Sequence, residues 1–191
     1  MDERRRKLFV GIALDDAARV ECAAALERLR GTGFAARYEA AEKLHITLAF
    51  LGYVPATRYD EVAAAVAAIP TACASFSIAL DKLGAFPNER RPRIAFIGAR
   101  DQGPSFRALA QRVRDAYRAL GFDFKDDPVA HVTIARIKAP RRPLPLVEFA
   151  PIELCVDALT LFESLPDKAN NTSRYESLAR VVLTPGRANG V

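Results

Sequence analysis

Cysteine is scarce in this chain of 191 residues. Cys22, Cys73 and Cys155 are too few and too scattered for a disulfide framework or a cysteine-rich zinc site, and such sparing use suits the reducing cytoplasm. Long apolar runs are also lacking, and none approaches the roughly 18 residues that a membrane span needs. The start, Met1 to Lys7, is charged and runs straight into a short LFVGIAL. It has neither the longer apolar stretch nor the small-residue cleavage site of a signal peptide, so secretion is not expected. Neither GxGxxG nor GxxxxGK[ST] occurs, which removes the usual signatures of nucleotide-cofactor folds.

Half of the residues are apolar and 27% are charged, the balance of one folded domain of ordinary size. Basic residues outnumber acidic ones by 28 to 23, and most of the basic ones are arginine. A guanidinium fork suits phosphate, so the excess permits a polyanionic partner, although a GC-rich genome produces the same bias. Arg90, Arg91 and Arg93, and Arg141 with Arg142, would serve as a nucleic-acid rim. Each cluster also reads as a solvated loop.

The periodicity predicts a strand over Lys7 to Leu14, then a helix capped by Asp15 or Asp16, with a stripe of Ala18, Cys22, Leu26 and Leu29 and an end at Gly31. A second strand spans Leu44 to Leu51. Thr57 and Asp60 resemble a capping box for a helix striped by Val62, Val66 and Ile69 and stopped by Pro70. Phe76, Ile78 and Leu80 alternate as in a half-buried strand, and Gly84 to Pro92 reads as a loop. The pattern then begins again: a strand at Ile94 to Gly98, a helix opening at Pro104 with Phe106, Leu109, Ala110, Val113, Tyr117 and Leu120 on one face, and a strand at His131 to Ile137. Two more strands fit Ile152 to Phe162 and Tyr175 to Leu183, and Pro185 to Val191 reads as a loose tail. Strand–helix–strand thus occurs twice, at residues 7–51 and 94–137. That predicts an internal duplication within a single α+β domain, two similar lobes facing one another with helices over one face of each sheet.

Histidine occurs only twice, and both copies stand in the same setting. His45 opens His45-Ile-Thr-Leu-Ala and His131 opens His131-Val-Thr-Ile-Ala, each on the corresponding strand of its half. Threonine fills 8 of 191 positions, so its recurrence two places after both histidines is a coincidence of roughly 0.2%. The period of two in a strand sets His45 with Thr47 on one face and Leu44, Ile46, Leu48 and Phe50 on the other; His131 and Thr133 likewise share a face. A two-fold relation between lobes then converges two imidazoles and two hydroxyls on one cleft. Such a set can displace at phosphorus: one neutral imidazole activates water, one protonated imidazole serves the leaving oxygen, and the hydroxyls hold the non-bridging oxygens. With two histidines, no nearby cysteine and no carboxylate in either motif, a zinc set falls short.

On these motifs the chain is similar to the 2H (two-histidine) phosphoesterases, and in particular to the LigT-like RNA 2′,3′-cyclic phosphodiesterases. The resemblance runs through LFVGIAL, KLHITLAFLG, LGAFPNERRPRIAFIG, AHVTIAR and LFESLPDKANNTSRYESL. It implies a bilobal α+β fold with two pseudo-symmetric lobes, each with an antiparallel or mixed sheet, and an active-site cleft between the sheets. It implies a monomer without metal or cofactor that hydrolyses the 2′,3′-cyclic phosphate ends of RNA or nucleotides to 2′-phosphates. His45 matches the proton donor, His131 the proton acceptor, and Thr47 and Thr133 the phosphate-holding hydroxyls. Arg136 matches an arginine of the second motif, although strand parity puts it on the face opposite His131. Where the family often has proline before the second histidine this chain has Ala130, and where it has a glycine near the end this chain has Asn170 and Asn171. Tyr38 suits either base stacking or the core. The alternatives are 2′–5′ ligase or phosphodiesterase chemistry, a non-catalytic RNA- or nucleotide-binding module, and a metallohydrolase.

Overall fold

The computed structural model describes residues 5–69, 73–139, 142–169 and 172–186. Ten strands and three helices follow in order: β1 (Arg5–Ala13), α1 (Asp16–Gly31), β2 (Arg37–Tyr38), β3 (His45–Pro55), α2 (Tyr59–Ala68), β4 (Phe76–Leu80), β5 (Lys82–Phe86), β6 (Ile94–Gly98), α3 (Gly103–Arg118), β7 (His131–Arg136), β8 (Ile152–Val156), β9 (Ala158–Asp167) and β10 (Thr172–Val182). Asp15 caps α1 by accepting from the Ala18 N–H at 2.7 Å, and Ala18, Cys22, Leu26 and Leu29 are buried as their spacing requires. Burial pushes the Cys22 thiol up to about 12, so it behaves as a small apolar side chain. Among the described residues no helix is long and apolar enough to cross a membrane.

The fold is α+β, with mostly antiparallel pairing. One half of the main sheet runs β10-β9-β1-β3 and the other runs β7-β6-β5, with the short β2 also on β7. The halves meet at a single pair, Ile46 with Val132, so the cleft opens within one eight-stranded sheet rather than between two separate sheets. β2 pairs with β7 on the far side of that junction, where β3 has diverged from β7. Each long helix backs the motif strand of the opposite half, α1 against β7 and α3 against β3, which locks the halves together.

Several expected boundaries move. Gly84 to Phe86 belong to β5, because they pair with Ile94 to Phe96; the loop begins only after them. Ile152 to Phe162 is two strands broken at Asp157, since β8 pairs with β4 in a small separate sheet whereas β9 pairs with β1 and β10. Thr57 lies in a 3₁₀ turn and no side chain caps α2, so the capping box does not form. Val62, Val66 and Ile69 are buried as expected, while Pro70 lies outside the described residues. At the end of the chain, the Gly186 N–H donates to Ser75 Oγ and Thr184 bridges to Ala74; residues 187–191 lie outside the described residues.

Gly11 shows how closely β1 and β3 approach behind the first histidine. A Cβ there would stand 2.6 Å from the Ile46 carbonyl oxygen, on backbone that cannot swing aside, whereas a Cβ on Gly31 would meet nothing within 4 Å. Gly11→Ala should therefore lose about 1–3 kcal/mol, a fall in Tm of about 2–12 °C, and Gly31→Ala should leave Tm unchanged or raised. Thermal melts of the two variants check this, and equal effects would contradict the stated contact.

Candidate active site

The two motifs build the same local structure. Both strands begin on the histidine, and both have the burial sequence half-buried, buried, half-buried, buried, buried, exposed over six residues. The regular alternation fails at the same place in each. Leu48 is an extra residue between the pairs Gly11–Thr47 and Val10–Ala49, and Ile134 is an extra residue between Phe96–Thr133 and Ala95–Ala135. These β-bulges reverse the parity of the residues directly after them. Their carbonyls are still satisfied, Leu48 O accepting from Arg114 Nε at 3.0 Å and Ile134 O from the Glu39 N–H at 2.9 Å.

Two expectations change as a result. Phe50 does not enter the core; it is 53% exposed and lines the cleft. Arg136 shares the cleft with His131 despite the odd spacing, because the bulge supplies the required bend. His45, Thr47, His131, Thr133 and Arg136 all line one cavity of about 510 Å³, together with Phe9, Lys43, Glu39 and Tyr175.

Each imidazole is held by its Nδ1. His45 Nδ1 lies 2.7 Å from Lys43 O and His131 Nδ1 lies 2.9 Å from Val129 O. A carbonyl only accepts, so Nδ1 carries the proton in both rings and Nε2 is the working nitrogen. His45 Nε2 stands 3.0 Å from Thr47 Oγ1. Behind each ring lies a stacked phenylalanine pair: Phe9 with Phe162 at 5.0 Å beside His45, and Phe86 with Phe96 at 4.5 Å beside His131. Tyr175 meets the His45 ring edge-on at 5.1 Å.

Burial lowers both histidine pKa values below the ordinary 6.5. The Lys43 and Val129 carbonyls oppose this, and the Arg136 charge adds to it at both rings. The histidines differ in two respects: the Glu39 carboxylate favours protonated His45 and the nearby His131 opposes it, whereas among the described residues no carboxylate acts in this way on His131. Glu39 is 8% exposed and accepts from Lys43 Nζ at 2.8 Å and Arg136 Nε at 2.9 Å. Burial pushes its carboxyl up, but these two partners outweigh it and hold the pKa below the ordinary value.

A family model described as LigT-like phosphoesterase matches residues 12–96. An RNA 2′,3′-cyclic phosphodiesterase of Archaeoglobus fulgidus is 36% identical over 135 residues, covering 69% of this chain and 73% of that protein. The chain belongs to the LigT-like phosphoesterases. An RNA 2′,3′-cyclic phosphodiesterase of Thermotoga maritima is 28% identical over 162 residues, covering 83% of this chain and 86% of its own. Among solved structures, a Thermus thermophilus protein superposes with a TM-score of 0.80 at 28% identity, covering 94% and 98% of the two chains. Escherichia coli LigT complexed with 3′-AMP gives 0.73 at 26% identity, covering 95% and 99%.

Within this LigT-like frame, Ala130 has a clear local role. Its N–H donates to Gln102 Oε1 at 2.9 Å, a bond that proline could not make. Asn170 and Asn171 lie outside the described residues. Tyr38 packs on the core side, its hydroxyl donating to Phe34 O at 2.7 Å under the Arg30 guanidinium. Arg90, Arg91, Arg93 and Arg142 do not line the cavity. Arg93 donates to Lys138 O, Arg142 lies over the Phe34 ring and donates to Thr32 O, the Arg90 and Arg91 backbones are tied to Asn88, and Arg141 lies outside the described residues. Glu39, Lys43 and Tyr175 carry no motif of their own. Phe9 and Phe96 do leave a trace, the repeated Phe-Val-Gly and Phe-Ile-Gly of β1 and β6.

NMR titration should find both imidazoles with pKa values below 6.5 in the free protein, and Arg136→Gln should raise both, because a positive neighbour is removed and Glu39 loses a partner. The folded state thus resists protonation that the unfolded chain accepts, so stability should fall as pH drops below about 6.5, and less steeply in a His45→Asn, His131→Asn double variant. Imidazoles titrating above 6.5 in the free protein would contradict the burial argument.

Proposed function

We propose that this protein hydrolyses 2′,3′-cyclic phosphate ends of RNA or nucleotides to 2′-phosphates, with His131 as general base and His45 as general acid and without a metal ion. The observation that carries the reading is the pair of imidazoles, each fixed through Nδ1 to a backbone carbonyl with Nε2 left for the same cavity. The names of the Archaeoglobus fulgidus and Thermotoga maritima relatives support the substrate class.

In the reaction, His131 Nε2 takes a proton from water as the water oxygen bonds to phosphorus. The bond from phosphorus to O3′ breaks, and the proton on His45 Nε2 passes to O3′, leaving a 2′-phosphate. Glu39 supports the assignment of roles, because it is the carboxylate that favours protonated His45. Thr47 and Thr133 donate to the non-bridging oxygens, where charge builds in the transition state. Arg136 uses Nε for Glu39, which leaves the terminal nitrogens of the guanidinium for the same anion.

Product analysis on a 2′,3′-cyclic mononucleotide in excess EDTA tests the reading. The expected product is the 2′-phosphate, and His45→Ala and His131→Ala should each lower turnover by about 10²–10⁴. Thr47→Ala and Thr133→Ala should cost less. Across pH, kcat/KM should follow a bell whose limbs lie below the ordinary imidazole range, with the kcat bell displaced upward by the bound anion. Activity abolished by EDTA would favour a metallohydrolase; binding without turnover would favour a binding module.

A further inference from the structure

The cleft face does not end at the histidines. Beyond the first bulge, β1 and β3 continue with Lys7 opposite Tyr53 and Phe9 opposite Phe50. A second bulge at Leu51, followed by Gly52 at φ +71°, brings Tyr53 onto the same face as Phe50, although regular alternation would put them on opposite sides. Leu51 and Val54 are buried on the other side.

Among the exposed large apolar side chains of the described residues, Phe50 and Tyr53 are the two aromatics, and Tyr53 is 68% exposed. Lys7 Nζ lies 5.5 Å from the Phe50 ring centroid. Arg5 and Tyr53 line a recess that shares Lys7, Ser164, Thr172 and Ser173 with the histidine cavity, so the two spaces are continuous. Among the described residues no carboxylate pairs with Arg5 or Lys7, and Glu163 nearby faces Arg6 at 3.7 Å. Exposed aromatic faces alternating with cations are what a single-stranded nucleic acid requires, because bases stack on the rings while the backbone follows the charge.

Resting on the cyclic phosphodiesterase reading, we propose that Phe50, Tyr53, Lys7 and Arg5 hold the nucleotides on the 5′ side of the cyclic phosphate. The substrate this surface fits is therefore a single-stranded RNA chain rather than a mononucleotide. The direction follows from the chemistry. O2′ and O3′ belong to one ribose, and O3′ leaves toward His45, which puts that ribose in the half formed by β1 and β3. From there the chain can leave only through its 5′ oxygen. From Gly11, opposite Thr47, to Arg5 the strand extends about 20 Å, room for several nucleotides.

The test compares kcat/KM for a 2′,3′-cyclic mononucleotide and for a tetranucleotide with the same terminal nucleoside and a 2′,3′-cyclic end. Alongside it, fluorescence anisotropy follows binding of a 5′-labelled tetranucleotide ending in a 2′-phosphate. The parent should favour the longer substrate by about 10-fold or more, and its advantage should shrink as salt rises. Tyr53→Ala and Arg5→Gln should each cut that ratio by about 5-fold or more, while Tyr53→Phe, which keeps the ring, should preserve it. A parent ratio near one, or a ratio indifferent to Tyr53→Ala, overturns the proposal. If neither substrate turns over but the labelled chain binds and Tyr53→Ala releases it, the hydrolytic reading falls and the RNA track stands.

Discussion

One backbone pair holds the site together. Ile46 and Val132 sit at the centres of the two motifs, each between its histidine and its threonine, and their pairing is the sole ladder contact between the halves of the main sheet among the described residues. Both side chains are fully buried, so their neighbours on either side must face the cleft. An antiparallel register centred on this pair brings His45 toward Thr133 and Thr47 toward His131. A slip of one residue would turn one motif into the core and destroy the convergence. The crossed helices oppose such a slip, since α1 backs β7 and α3 backs β3.

The same frame is then used asymmetrically. Both strands bulge one residue after the threonine, and both present their sixth residue to the cleft, but that residue is Phe50 in one half and Arg136 in the other. Arg136 brings positive charge and fixes Glu39 at 2.9 Å; Phe50 brings an uncharged stacking surface. Two equivalent histidines could not be told apart by a substrate. The Glu39 carboxylate, felt by His45 and not by His131, breaks the equivalence, and in the proposed reaction it is what would set the acid apart from the base.

How much of this is legible in the sequence depends on the range of the interaction. The stripes of α1 and α3 and the alternation that sets both His/Thr pairs on one cavity follow from local period, and both are present. Strand parity holds for two residues past each histidine and fails for Phe50 and Arg136, because a bulge is a property of pairing and leaves the period of a single strand unmarked. Glu39 and Lys43 come from the segment between α1 and β3, and Tyr175 from β10, far along the chain. Only the assembled sheet brings them to His45. The break at Asp157 is hidden for the same reason, since β8 and β9 follow one another directly and only their pairing shows that different sheets receive them.

Burial of both imidazoles has a consequence for the order of events in the proposed reaction. Burial and the Arg136 charge disfavour protonation of both rings in the free protein, which suits the base and not the acid. A substrate anion changes the balance, since a negative phosphate near Nε2 favours the protonated form and Glu39 directs that preference to His45. Anion binding and proton uptake are then thermodynamically linked, each strengthening the other. In the proposed reaction the charge held by the cleft would also arm the acid that acts on it, and Arg136, which resists the proton at both rings, would act from both ends by attracting the phosphate as well.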